Sequence, residues 1–118
     1  MNPLNHASLE ASLRLDKAGI VLETEQHLRV QDLKTFQWKN IPRPSMAEVW
    51  RELPESLPGA ITDWSLELLK QGDETLVCYF KVDFCDNYSS KGDQRNTNPT
   101  DALIDLRIWI EEQKGKKS

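Results

Sequence analysis

Two histidines, two cysteines and a scatter of carboxylates are the residues of this sequence whose types suit metal binding or catalysis. His6, His27, Cys78 and Cys85 make up the nitrogen and sulfur ligand inventory, and no two stand at the short paired spacings of a zinc site. Asp83, Asp86 and Asp93 cluster loosely in "VDFCDNYSSKGD". They lack the alternating ligands and central glycine of a calcium loop, so they read as a solvated acidic loop with no metal. A serine or cysteine nucleophile needs a base within hydrogen-bond reach, and no serine lies in the glycine-flanked pattern of a nucleophile elbow. Cys78 falls on an apolar row and reads as inert core, while Asp83 and Asp86 would hold the Cys85 thiol in its protonated form. The carboxylate pairs Glu23/Glu25, Asp83/Asp86 and Glu111/Glu112 read as wetted surface. Five glycines stand singly, which excludes a phosphate-cradling loop and a dinucleotide fingerprint. The expectation is therefore no catalytic residue and no cofactor.

Composition sets the frame for these residues. A chain of 118 residues suits one domain, 1–118, that folds without metal or disulfide. Charged residues make up 29% with a net charge of -4, a soluble balance that speaks against a general nucleic-acid binder. The sequence has no apolar run of the length a membrane span needs and no secretory leader pattern at its start. Cys78 and Cys85 are an odd number of residues apart and would point to opposite faces of one strand, so free thiols and a reducing cytoplasm are expected.

The elements follow from periodicity and caps. "SLEASLRLDKAG" predicts a first helix capped by Ser8 and ended by Gly19, with Leu9, Leu13, Ala11 and Leu15 as its apolar residues. Leu28 and Val30, then Phe36 and Trp38, alternate as two short strands turning at Asp32-Leu33-Lys34. Pro42 and Pro44 hold the next segment extended, and Ser45 and Glu48 form a capping box for a short helix held mainly by Trp50 and ended by Pro54. Trp64, Leu66 and Leu68 face Leu76, Cys78, Phe80, Val82 and Phe84 across a hairpin turning near Gly72. "CDNYSSKGDQRNTN" has no period and reads as a long polar loop. Asn98 and Pro99 open a last helix. The sum is an α+β fold, a small and mainly antiparallel sheet covered by three helices as a single pair of layers.

That last helix has more apolar residues than one face needs. Ala102, Leu106, Trp109 and Ile110 share a face, and Ile104 and Ile108 point nearly the opposite way. Either the first helix covers the two isoleucines, or they form an exposed patch for a partner, a second copy included. The favoured function is a non-enzymatic accessory protein that binds another macromolecule. Its contact residues would be Ile104 and Ile108 together with Asn87, Tyr88, Lys91 and Arg95 of the polar stretch. A second reading is a nucleic-acid-associated protein that uses a basic patch of Lys39, Arg43, Lys91, Arg95, Lys114, Lys116 and Lys117 beside Trp38. A third is a small hydrolase or ligand-binding domain whose site lies outside these motifs.

In their order, "SLEASLRLDKAGI", "IPRPSMAEVWRELPESL" and "NPTDALIDLRIWIEEQ" resemble small proteins encoded by phages and prophages of bacteria. The resemblance implies a bacterial, cytoplasmic setting and a compact α+β fold, and it brings no site residues with it.

Overall fold

The computed structural model describes residues 6–58, 63–82 and 87–116, with side chains through 114. The element order is α1 (Leu9–Lys17), β1 (His27–Gln31), β2 (Trp38–Pro42), α2 (Met46–Glu52), β3 (Ser56–Leu57), β4 (Trp64–Gln71), β5 (Glu74–Val82), β6 (Tyr88–Asn96) and α3 (Pro99–Lys116). All strand pairs are antiparallel, in a two-stranded sheet β1-β2 and a four-stranded sheet β3-β4-β5-β6. The fold is α+β, with three helices among the described residues.

Local chemistry sets the helix starts as the sequence indicates. The Ser8 hydroxyl accepts from the Ala11 N–H at 3.1 Å, and Asp101 Oδ1 accepts from the Ser8 N–H at 2.8 Å, which ties the start of α1 to the start of α3. The capping box of α2 is complete: Ser45 Oγ accepts from Glu48 N–H at 3.2 Å and Glu48 Oε1 accepts from Ser45 N–H at 2.8 Å. Asn98 Oδ1 accepts from Thr100 N–H at 2.9 Å, capping α3 ahead of Pro99.

Helix α3 is the hub. It touches β5 and β6 of the sheet and both α1 and α2, while Met46, Ala47 and Trp50 of α2 also neighbour Leu68 on the inner face of β4. This placement explains why α3 is apolar on two sides: Ala102, Leu103, Ile104, Leu106 and Ile110 are all buried. The sheet presents Val77 and Tyr79 of β5 to this core, with Trp64, Leu66 and Leu68 of β4 partly buried beside them. The Tyr79 hydroxyl donates to the Pro54 carbonyl at 2.9 Å, and burial pushes the phenol up to about 12 against a smaller opposing pull from Arg107.

Several expectations change. The row Leu76, Cys78, Phe80 and Val82 lies on the face of the sheet away from α3, because strand alternation gives the core side to Val77 and Tyr79. Cys78 is still buried, flanked by Glu67 of β4, and desolvation pushes its thiol up. Cys85, Asp83, Phe84 and Asp86 lie outside the described residues. Val49 and Leu53, not Trp50, anchor α2, and Trp50 is two-fifths exposed. The polar stretch after Asp86 is mostly strand β6, paired with β5 through Val82↔Tyr88 and Thr75↔Asn96. A bulge between Val77 and Tyr79 sets Gly92 at φ +71 directly beneath Trp109.

Candidate interaction surfaces

Sheet β1-β2 forms an arm. Its register runs from His27↔Pro42 to Gln31↔Trp38, and the strand β2 reaches back to α1. Ile41 plugs the base of the arm into the body at 1% exposure, and Lys39 Nζ bonds Asp16 of α1 at 2.7 Å. The partnership with Asp16 raises the Lys39 ammonium above its ordinary value, the hydrogen bond contributing most. Phe36 is not part of β2: it sits in the tip turn at φ +59, its N–H donating to the Asp32 carbonyl at 2.7 Å. A phenylalanine in the left-handed region is a strained turn residue, and it leaves the ring 71% exposed.

Apolar side chains are spread along this arm. Leu33 is 83% and Trp38 56% exposed, and Arg29 lies over the Trp38 ring at 5.2 Å from its centroid. Leu28 and Val30 face the opposite way, toward α1, where Leu9 and Leu13 are left half-exposed. These residues, with Leu33 and Lys39, line a groove of about 610 Å³ between the helix and the arm. Of the four apolar residues of α1, Ala11 and Leu15 take the core side together with Ser12, and Leu9 and Leu13 do not. Trp38 likewise lies outside the core.

The residues singled out from sequence go to separate places. Ile104 is fully buried and has no surface to offer a partner, in a core where α3 contacts both α1 and α2. Ile108 is partly buried and lines a cleft with Arg14, Lys17 and Ala18 at the end of α1. In that cleft Arg14 pairs with Asp105 at 3.0 Å, and burial nevertheless lifts the Asp105 carboxyl above its ordinary value. Tyr88 is 71% exposed on the outer sheet face, its ring stacked on Phe80 at 5.6 Å, and Asn87 immediately precedes it. Arg95 lies on that same outer face, opposite Leu76. Lys91 falls on the inner face opposite Tyr79.

The basic patch does not assemble as one surface. Lys39 is bound to Asp16, and Arg43 Nε donates to the Ala7 carbonyl at 3.0 Å while its backbone bonds Gln26. Lys114 lies elsewhere, in a pocket that it lines with Lys91, Trp109 and Ile110. Lys117 and the side chain of Lys116 lie outside the described residues. Among the described residues there is no group of three His, Cys, Asp or Glu side chains placed to hold a metal ion, and no helix is long and apolar enough to cross a membrane.

The hairpin of the arm is legible in the sequence, but its exposure is not, for a definable reason. Alternation at Phe36 and Trp38 signals a strand with a buried face, and only the tip turn and the placement of α1 reveal that this face is open. Compared with known protein families, with curated proteins and with solved structures, the chain matches none.

Proposed function

We propose that this chain is an accessory protein of a bacterial cytoplasm, phage- or prophage-derived, that works by macromolecular association, and that its contact surface is the β1-β2 arm with the outer side of α1. The observation that carries the reading is the exposure of Leu33, Phe36 and Trp38 on the arm; half-exposed Leu9 and Leu13 lie against the arm's other face. A two-stranded ribbon is marginal without cover, and this one keeps a free edge on each strand. The three arm side chains present on the order of 400 Å², about half of the roughly 800 Å² that one partner contributes to a standard interface.

The first partner in this reading is a second copy of the chain. Two arms packed face to face about a two-fold axis cover the aromatic residues, using the same patch on each copy. Amide hydrogen exchange across a dilution series tests it. Protection of the β1-β2 amides should fall on dilution while that of β4 and β5 stays constant. Arm protection that does not change with concentration overturns the reading.

A further inference from the structure

A second site lies at the other end of α3. Pro54, Leu57, Pro58, Trp109 and Ile110 wall a pocket of about 250 Å³ whose polar rim is Lys91, Gln113 and Lys114. Trp109 is fixed there by close packing on Gly92, where an added Cβ would stand 2.8 Å from the ring. The charge on the rim is unusual for a protein of net charge -4. Lys91 makes no ion pair among the described residues; its ammonium rests on the Trp64 ring, 4.6 Å from the centroid. Lys81 rests on the same ring at 4.4 Å, so two ammonium groups share one indole. Lys114 is only loosely paired, 3.6 Å from Glu111, and Glu111 is already held at 2.7 Å by Arg107.

Apolar walls under a lysine rim define a ligand class. We infer that this pocket binds a small amphipathic anion: a carboxylate-type head group between Lys91 and Lys114, on a short apolar body packed against Trp109, Ile110 and Leu57. The volume lies just below the range of drug-sized ligand sites, which suits a short acyl or aryl acid. Each ammonium gains a charge-assisted hydrogen bond from the head group that the pocket does not supply itself. An inorganic anion would gain the rim contacts without the apolar ones, and a neutral analogue the reverse.

The probe is 4-phenylbutyrate, followed by two-dimensional NMR on the wild-type chain, with 4-phenylbutanol and inorganic phosphate as comparisons. For a ligand of this size a Kd of about 1 mM is expected. Shifts should be confined to the neighbourhood of Leu57, Lys91, Trp109, Ile110 and Gln113, and the alcohol and phosphate should each bind about fivefold or more weakly. Lys114→Met, at a side chain 68% exposed, should leave the fold intact and weaken phenylbutyrate about three- to tenfold; Lys91→Met should do the same. Equal affinity for acid and alcohol overturns the inference. So do shifts centred on the β1-β2 arm, an unchanged Kd in Lys114→Met, or no shift at about 10 mM, tenfold above the expected constant.

Discussion

Glu48 shows how much a single side chain settles. One carboxylate oxygen accepts from the Ser45 N–H at 2.8 Å and the other from the Glu25 N–H at 3.0 Å, so one residue caps α2 and pins the chain entering the arm. Desolvation pulls its pKa upward, but these backbone and Ser45 hydrogen bonds outweigh it and hold the carboxyl below its ordinary value. The sign of the linkage follows. A carboxyl with a depressed folded pKa contributes stability that is present above its unfolded value of 4.5 and is lost as pH falls through the folded value. Glu48→Gln should cost about 1 kcal/mol at pH 7. Urea unfolding of the variant should also show a smaller loss of stability below pH 4.5 than wild type; parallel pH curves for the two would refute this. The Ser45-Glu48 half of the arrangement is legible in the sequence, as a serine followed three residues later by glutamate after two prolines. The Glu25 half is not, because nothing local connects residues 23 positions apart.

Among the elements, β6 separates what a sequence displays from what a fold decides. "YSSKGDQRN" has no apolar alternation, since its side chains lie on an edge strand whose value to the fold is its backbone pairing with β5. A period-based reading has nothing to detect there. The one informative residue is Gly92, at a bulge, whose missing Cβ leaves room for the Trp109 ring. Gly92→Ala meets both a positive φ and the indole, so it should destabilise by about 2–4 kcal/mol. Gly72→Ala, at φ +64 with open space around it, should cost about 1 kcal/mol. Chemical denaturation of the two variants compares them directly, and equal costs would mean that Trp109 does not rest on Gly92. The caps of α1, α2 and α3 and the β4-β5 hairpin were legible because each is written in neighbouring residues. Which face of β5 meets α3 was not, because both faces carry apolar side chains and only packing chooses between them.

At the level of the molecule, α3 packs on the four-stranded sheet and on both other helices, and this explains its broad apolar surface without any partner. Among the described residues, Leu33, Phe36 and Trp38 bring exposed apolar surface together on the arm. The radius of gyration, 15.9 Å, exceeds the roughly 13.5 Å of a compact chain this long. The α+β class was legible from the mixture of 3.6-residue and two-residue periods. The interaction surface was not: a sequence shows that Leu33, Phe36 and Trp38 are apolar, and only tertiary structure shows that nothing described covers them. Sedimentation velocity tests this surface most directly, run over a wide concentration range on wild type and on Phe36→Ser/Trp38→Ser. Both substitutions lie on exposed side chains and leave Ile41 in place at the base of the arm. The account predicts a concentration-dependent dimer for wild type and a folded monomer for the variant at every concentration. A wild type that stays monomeric throughout, or a variant that dimerises as wild type does, would contradict it.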